Sequence, residues 1–535
     1  MAIVPIENLG EIGVIKDVPP YQLPPNAWSD GNNVRVLDNA IKKCTGYQEI
    51  LATCPISPIF LTPLASGTEY FWVACGTAKV YVHDGSSWSN ITRQSGGSDV
   101  DYSATATENW SATVIGGVLI LNNGIDDPQE WATTGGIASA STRLQDLTNW
   151  PASTTCKVVR AFRTFLVALN VKESGTNYPR LVKWSHEAAT HTVPSTWDET
   201  AADKDAGEYE LAQGSAGEIV DGMTLGDQFI IFKEDSIVQM SYVGSPFIFS
   251  FRTLSPTIGA IAKNCAAEFD KGIFFFGNSD LYLMDGQNIH PLLPNKLRRW
   301  LFDSIDGDNF SKCFVAADYA RKEMLACFPT IGSTYPDKAI IWNWHNNAFS
   351  IRDLPEVSHI AYGIAEITGG RTWATITDTW DTASSTWGTR SYDSVLKNLV
   401  LVDPGNTKLY RDDYGNTEDG TNMTSYIERT GLSINSQGAP DQSTIKHVKA
   451  VFPKMEVSGA NTVNVYIGAQ MNTEEGVAWE GPYTFNPDTQ SKVPCRVTGR
   501  YFGVRFESDT NTDWKLHGLE FDLKESGHRG SYTHS

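Results

Sequence analysis

Short strand-like runs joined by tight turns recur along most of this chain, and they constrain its fold more than any other feature. Residues 70–74 and 79–82 form one such pair, and residues 228–232 and 236–240 form another. Runs of β-branched and aromatic residues separated by a few Gly, Asn or Asp are typical of β-hairpins, because those residues accept the positive φ of a tight turn. The chain is therefore predicted to be all-β.

The hairpins repeat at intervals close to those of a repeated β-sheet unit. One residue from the second strand of each hairpin marks the series: Tyr81, Ile120, Val182, Val238, Leu283, Ile341 and Tyr410. Successive markers are 39 to 69 residues apart, and four-stranded propeller blades repeat about every 40–50 residues. The longer intervals predict inserted loops, such as residues 187–207 and 369–389. We predict a β-propeller-like body of six or seven blades, with a set of separate β-sandwiches as the alternative.

The composition changes twice along the chain and divides it into four parts. Residues 1–45 are Pro-rich and irregular, which predicts an extended N-terminal arm. Residues 46–420 contain the hairpins and form the predicted propeller-like body with inserted loops. Residues 421–525 alternate apolar and polar side chains more regularly, which predicts a β-sandwich-like domain with one solvated face on each sheet. Residues 526–535 are polar and predict a flexible tail.

One segment favours a helix. Residues 295–305 place Leu297, Trp300, Leu301 and Ile305 on one face at spacings of three and four, with Asn295 as a candidate N-cap. The basic pair Arg298 and Arg299 is interpreted as a solvated face, and contact with a partner subunit is the alternative.

Three smaller patterns predict packing. The eight cysteines include no C-x-x-C pair and are expected to be free, mostly buried thiols. Residues 84–88 are interpreted as a β-turn whose Trp88 packs between blades. Trp342 and Trp344 are two residues apart in a strand, so their rings should lie on one face.

The charge balance restricts the partners. Lys plus Arg total 42 and Asp plus Glu total 62 in 535 residues, so the formal net charge is −20. A surplus of carboxylates repels phosphates, which argues against electrostatic capture of nucleic acid. The first ten residues lack a basic and apolar export pattern, and no apolar run approaches the roughly 18 residues of a membrane span. A soluble product made in the cytoplasm, without membrane insertion, is expected.

No motif predicts catalysis, a cofactor or a metal site. His186 and His191 are five residues apart, whereas two zinc ligands on one helix face are four apart. Asp303, Asp306 and Asp308 lack the calcium-loop spacing and are interpreted as a surface turn. Neither a phosphate-binding glycine loop nor a nucleophile elbow occurs. We therefore expect no catalytic, cofactor-binding or metal-binding residues and no enzymatic activity.

Four segments, in order along the chain, carry a further pattern. The first is LPPNAWSDGNNVR at residues 23–35 with CTGY at 44–47. The second is GVLILNNG at 117–124, followed by Asp127, Pro128 and Trp131. The third is KLYRDDYG at 408–415, with Asp419, Gly420 and IERTG at 427–431. The fourth is RYFGVRF at 500–506, with Gly518 and residues 527–529. Together these segments resemble the tail tube or nozzle proteins of short-tailed, podovirus-like phages, also called packaged-DNA stabilisation proteins.

The resemblance implies a virion structural protein made in the host cytoplasm and incorporated into the tail. It implies a ring of six copies below the head-to-tail adaptor, contacts with other tail proteins, and double-stranded DNA as passing cargo that is retained until ejection. The acidic composition is compatible with this, because carboxylates along a channel repel phosphates over about 8–10 Å at physiological salt. Two other functions stay open: a carbohydrate-binding or depolymerising receptor protein, and a β-propeller interaction scaffold.

Overall fold

The computed structural model is almost entirely β. It describes residues 2–66, 69–107, 109–131, 139–201, 203–212, 216–270, 272–364, 397–458 and 462–528. Five short strands precede the repeated sheets: β1 (Ala2–Ile6), β2 (Asp30–Asn32), β3 (Val34–Leu37), β4 (Ala40–Lys43) and β5 (Tyr47–Ile50).

Among the described residues, seven antiparallel sheets follow in chain order, and four strands of each form one blade. Blade 1 contains β6 (Phe60–Ser66), β7 (Glu69–Cys75), β8 (Val80–His83) and β9 (Trp88–Asn90), and a small hairpin, β10 (Gln94–Ser95) and β11 (Ser98–Asp99), follows it. Blade 2 contains β12 (Ser111–Ile115), β13 (Val118–Asn122), β14 (Gln129–Trp131) and β15 (Leu144–Asp146). Blade 3 contains β16 (Thr154–Phe162), β17 (Phe165–Glu173), β18 (Thr176–Trp184) and β19 (Gly207–Glu210). Blade 4 contains β20 (Ile219–Leu225), β21 (Gln228–Lys233), β22 (Ile237–Gly244) and β23 (Ile248–Ser255).

The remaining blades complete the series. Blade 5 contains β24 (Ala266–Phe269), β25 (Gly272–Phe276), β26 (Leu281–Met284) and β27 (Ile289–Pro291), and the helix α1 (Arg298–Ser304) follows it. Blade 6 contains β28 (Phe314–Asp318), β29 (Glu323–Phe328), β30 (Lys338–Asn343) and β31 (Ala348–Asp353). Blade 7 contains β32 (His359–Ile364), β33 (Lys397–Asp403) and β34 (Lys408–Asp412). Its fourth strand is β5, from the N-terminal segment. Strands β35 (Thr417–Glu418) and β36 (Thr421–Asn422) extend the outer edge of this sheet.

Hydrophobic clusters join each blade to the next and close the seven sheets into a ring. Separate clusters lie between blades 1 and 2, 2 and 3, 3 and 4, 4 and 5, and 6 and 7, and another lies between blades 7 and 1. Blades 5 and 6 share a larger cluster with the C-terminal strands. The first strand of blade 7 also contacts the first strand of blade 1. A ring of four-stranded sheets packed face to face is a β-propeller, so the predicted fold class is confirmed, with seven blades.

Middle strands of the blades are buried on both faces, which explains their apolar runs. In β21, Phe229 and Ile231 face blade 3, whereas Ile230 and Phe232 face blade 5. Alternate residues therefore enter two different cores, and no position of the strand needs a polar side chain. The seven marker residues of the sequence lie one in each blade, in the third strand except for Ile120, which lies in the second.

The N-terminal segment differs from the extended arm that the sequence predicts. Strands β2, β3 and β4, together with β1, belong to the two sheets of the C-terminal sandwich, and β5 pairs with β34 as the outer strand of blade 7. Tyr47 and Ile50 lie opposite Asp412 and Leu409. Strands β1 to β5 thus complete both parts of the fold, and joining these sheets satisfies their backbone groups.

The C-terminal sandwich consists of two sheets. Its remaining strands are β37 (Ser425–Leu432), β38 (Thr444–Val457), β39 (Val463–Gln470), β40 (Ala478–Phe485), β41 (Val493–Gly499), β42 (Tyr501–Ser508) and β43 (Trp514–His528). One sheet has the order β3-β4-β43-β38-β41 with β1 also on β43, and the other has the order β2-β37-β42-β39-β40. Their facing side chains share one apolar cluster with blades 5 and 6. Since β43 continues to His528, residues 526–528 belong to the sheet and not to a flexible tail; residues 529–535 lie outside the described part.

Helix α1 is shorter than predicted and has a different cap. It begins at Arg298, and Asn295 lies in the turn before it with a φ of 58°. The carboxylate of Asp17 instead accepts hydrogen bonds from the backbone N–H groups of Arg299 and Trp300, at 2.8 and 3.1 Å. An acidic group from the N-terminal segment therefore caps the helix. Arg298 and Arg299 are exposed, as a solvated face requires.

Several smaller predictions agree with the structure. All eight cysteines are free and buried. Trp88 donates a hydrogen bond to the carbonyl of Leu51 and packs on the cluster between blades 7 and 1. Trp342 and Trp344 both lie against the ring of Phe269.

The two predicted loops have different outcomes. Residues 185–206 connect β18 and β19, so the predicted loop at 187–207 is confirmed except for Gly207, which begins β19; residue 202 lies outside the described part. The predicted insertion at residues 369–389 lies wholly outside it. Among the described residues, no helix has the length and apolar character that a membrane crossing requires.

Candidate functional site at the propeller–sandwich junction

Three of the four segments that carry the phage-tail resemblance meet at one place in the fold. Strand β2, from the first segment, pairs with β37, and β37 pairs with β42 from the last segment. Gly31 lies opposite Ile427, which lies opposite Phe506. Strand β34, from the third segment, pairs with β5 just after Cys44. Segments some 400 residues apart in sequence therefore form one junction between propeller and sandwich.

A buried group of charged side chains lies at this junction, and we call it the junction cluster. It consists of Arg35, Asp318, Arg321, Glu323, Arg352, Asp412 and Asp413. Strand β3 provides Arg35, blade 6 and its first turn provide four members, and the end of β34 provides the two adjacent aspartates. Three separate chain segments are thus held by one ionic network.

The contacts in the junction cluster are short and mostly buried. Arg352 donates to both carboxylate oxygens of Asp412, one at 2.8 Å, and also to the carbonyl of Thr45 at 3.2 Å. Arg35 lies 2.9 Å from Asp413, which also contacts Arg321 and accepts a hydrogen bond from the hydroxyl of Thr45. Burial alone would raise the pKa of Asp413. The guanidinium groups of Arg35 and Arg321 outweigh that effect and hold this pKa below its ordinary value. Charges removed from water need such partners, because an unpaired buried charge is very costly.

Glu323 is the least well compensated carboxylate of the cluster. Its closest cation is Arg35, at 3.8 Å, and its side chain is almost completely buried. Burial raises its pKa from 4.5 to about 7. When Glu323 is protonated, three cations face three carboxylates and the cluster is neutral; when it ionises, the cluster carries one excess negative charge.

We predict that the Glu323→Gln substitution removes a pH-dependent loss of stability. The unfolded chain releases this proton near pH 4.5 and the folded chain near pH 7, so the folded state binds more protons between those values. The free energy of unfolding of the wild type should therefore fall by about 3 kcal/mol as the pH rises across that window. Urea unfolding at pH 5 and pH 8 should show the variant gaining stability over the wild type at pH 8. Glu187→Gln, at an exposed loop position, is the control, and equal pH profiles for Glu323→Gln and the wild type would contradict the prediction.

A third buried arginine, outside the junction cluster, fixes the Pro-rich part of the N-terminal segment. Arg429 donates to the carbonyls of Pro20 and Leu23, at 2.8 and 2.9 Å. Burial lowers its pKa to about 10. Gly431 has a φ of 65°, and a Cβ there would lie 2.7 Å from the backbone nitrogen of Tyr21. Glycine is required at this crossing because the two backbones approach too closely for a side chain.

The second resemblance segment lies apart from the junction, in blade 2. Residues 118–122 form β13, and Asn122 donates to the carbonyl of Cys156 in blade 3 at 2.9 Å. Asn123 accepts hydrogen bonds from the backbone of Ile125 and Asp126, which shapes the turn after the strand. This segment therefore stabilises the turn after β13 and links blade 2 to blade 3 by a hydrogen bond.

The residues tested as metal motifs in the sequence lie in a loop, a helix and a turn. His186 accepts a hydrogen bond from the backbone N–H of Asp205 in the loop after β18, and the backbone N–H of His191 donates to the carbonyl of Gly116. Asp303 lies in α1 and not in a surface turn, whereas Asp306 accepts from the backbone N–H groups of Asp308 and Gly332 in the turn after the helix. In the described part of the chain, no three His, Cys, Asp or Glu side chains are arranged to hold a metal ion.

A groove of about 990 Å³ between blades 6 and 7 is lined by carboxylates and tyrosines, including Asp337, Asp403 and Tyr410. Asp337 accepts hydrogen bonds from the backbone and hydroxyl of Thr330, and Asp403 accepts from both nitrogens of Asn406. These two carboxylates therefore stabilise turns of their own blades.

Comparisons with known proteins give no family. No family model and no curated protein matches the chain. Among solved structures, PorZ, a surface component of the type-IX secretion system of Porphyromonas gingivalis, matches with a TM-score of 0.33 and 10% identity over 82% of this chain and 54% of PorZ. The WD40 domain of Toxoplasma gondii coronin matches with a TM-score of 0.35 and 7% identity over 71% and 87% of the two chains. The AfRom2 CNH domain matches with a TM-score of 0.30 and 8% identity over 58% and 89%. The assignment of a propeller rests on the chain's own ring of sheets.

Proposed function

We propose that this chain is a phage virion structural protein that assembles as a ring to form the tail tube or nozzle, retains packaged DNA, and conducts it during ejection. The observation that carries the proposal is the convergence of the resemblance segments on the propeller–sandwich junction. Three of the seven residues of the junction cluster, Arg35, Asp412 and Asp413, lie in these segments. The segments also contribute the paired strands β2, β37 and β42. On this proposal the protein has no enzymatic activity and contacts the head-to-tail adaptor.

The dimensions of the propeller determine where a DNA channel would lie. The axis of the ring contains a cavity of only about 400 Å³, lined by side chains from all seven blades. That volume lies in the range of small-molecule sites, roughly 300–1,000 Å³. A sphere of that volume is about 9 Å across, which is narrower than the roughly 12 Å width of the major groove of a duplex alone. DNA therefore cannot pass through one subunit, and the proposed channel lies between subunits of the ring.

Electron microscopy of virions carrying a gold-labelled tag on this chain tests the proposal. The label is expected at the tail, below the head, in every intact particle. An identical tag on a capsid protein provides the control for labelling. Label on the capsid or on fibres, or particles without label, would contradict the proposal.

The hairpin between β22 and β23 predicts a surface that assembly buries. Phe247 and Val243 are 77% and 54% exposed, and Tyr242 lies beside them. Exposed apolar groups of this kind mark association surfaces, and burying one such side chain contributes about 1.5–3 kcal/mol. Phe247→Ser should therefore weaken self-association by about ten- to a hundredfold in mass photometry.

Met471→Ser, at an exposed apolar position of the sandwich, should assemble like the wild type and serves as the matched control. Equal assembly of Phe247→Ser and the wild type would exclude this hairpin from the interface. A wild-type chain that stays monomeric even with the adaptor would count against the ring itself.

A further inference from the structure

The axial cavity of the propeller has the walls of a ligand site. The first strands of all seven blades line its volume of about 400 Å³. Each of these strands has one edge without a strand partner in its own sheet, so backbone donors and acceptors face the axis. Polar backbone groups as well as side chains therefore line the cavity, and such groups orient ligands in sites for small molecules.

The charged groups in the wall neutralise each other. Arg160 of blade 3 donates to both carboxylate oxygens of Asp221 in blade 4, at 3.0 and 2.8 Å, and to the side chain of Asn264 at 3.0 Å. Asp221 also accepts from the backbone nitrogens of Gly222 and Asn264. Both carboxylate oxygens are thus fully engaged. This side of the cavity offers a ligand no net charge.

Hydroxyl groups close part of the exposed strand edges. Thr113 of blade 2 accepts a hydrogen bond from the backbone N–H of Ala161, and Thr224 of blade 4 donates to the carbonyl of the same residue. Neighbouring blades therefore satisfy both backbone groups of Ala161 on the inner edge of blade 3. This part of the wall is hydrogen-bonded without a ligand.

The wall formed by blades 7 and 1 contains polar side chains that lack hydrogen-bond partners among the described residues. His359 and Tyr362 of blade 7 and Thr62 of blade 1 line the cavity, and their side chains make no hydrogen bond to another residue of the described chain. His359 stacks on Phe60 with ring centroids 4.3 Å apart, which fixes its ring. Burial lowers the pKa of His359 to about 3, so at neutral pH its ring is uncharged and has one donor and one acceptor nitrogen.

We propose that the axial cavity binds a small neutral molecule bearing several hydroxyl groups, such as a hexose or another polyol. The balanced Arg160–Asp221 pair gives no preference for an ionic ligand. The imidazole of His359, the phenol of Tyr362 and the hydroxyl of Thr62 are neutral groups that donate and accept hydrogen bonds, and hydroxyl groups match both roles. This site is independent of the proposed DNA channel.

Saturation-transfer NMR with three related sugars tests the site on the full-length protein. Glucose, glucosamine and glucuronate share one ring but differ in charge, and glucose is expected to bind best. Tyr362→Phe and Thr62→Val each remove one hydroxyl and should weaken glucose binding by about three- to tenfold. Tyr319→Phe is the matched control, because the Tyr319 hydroxyl donates to the carbonyl of Glu268 and that residue is not part of the cavity wall.

Unchanged thermal melting of each variant would show that the fold is intact. Equal binding of glucose by Tyr362→Phe, Thr62→Val and the wild type would overturn the proposal, as would preference for a charged sugar. Absence of any sugar signal from the wild type would show a cavity filled by water only, and would also overturn it.

Discussion

The Arg352→Met substitution is expected to lower the free energy of unfolding by about 3–5 kcal/mol, the cost of removing one partner from a buried ion pair. Arg352 and Asp412 are each at most 2% exposed and form a two-pronged contact between blade 6 and blade 7. Methionine keeps the length of the side chain but leaves the carboxylate of Asp412 without its cation. Chemical denaturation measures the effect, and the loss should be smaller in acid, where Asp412 takes up a proton instead.

Two further variants separate the ion pair from general damage. Arg180→Met removes a partly exposed pair with Glu210 and should change stability by less than about 1 kcal/mol. The double variant Arg352→Met with Asp412→Leu removes both charges and should recover most of the lost stability, because two apolar side chains need no partner. If the double variant is as unstable as Arg352→Met, the unpaired carboxylate is not the cause.

The parts of the fold that the sequence predicts are the local ones. The hairpins of each blade join strands that are neighbours in sequence, and their turns contain the residues that tight turns require. Local sequence alone therefore suffices to assign Val238 and Leu283 to the strands of two separate blades. The closing strand β5 could not be found in this way, because its partner β34 lies some 360 residues away and its own residues are only half-buried.

The side-chain contacts at the junction could not be predicted from the sequence either. The sequence identifies the segments that contain Arg35 and Asp413, but nothing in their spacing indicates that the two side chains meet. With 62 acidic residues in the chain, charge alone does not select the partner of a given arginine. The cap of α1 is a similar case: Asn295 is the local candidate, whereas the carboxylate used belongs to Asp17, distant in sequence. Long-range pairing, not local preference, determines these contacts.

Removal of residues 1–53 should abolish cooperative folding of both the propeller and the sandwich. The deletion removes β5, which closes blade 7, and β1 to β4, which belong to the two sandwich sheets. It also removes Arg35 and leaves Asp413 and Glu323 short of one cation. Thermal unfolding followed by circular dichroism should show no sharp transition, and limited proteolysis should cut within blade 7.

Removal of residues 1–6 alone is the matched control for this deletion. It takes away only β1, which pairs with β43 and buries Val4 and Ile6, so it should cost about 3 kcal/mol and leave the transition cooperative. A synthetic peptide of residues 1–53 should restore a sharp transition to the longer deletion, because it provides the missing strands. Cooperative melting of that deletion without the peptide would mean that the ring closes without β5. The N-terminal segment would then be an attachment to the fold and not its closure.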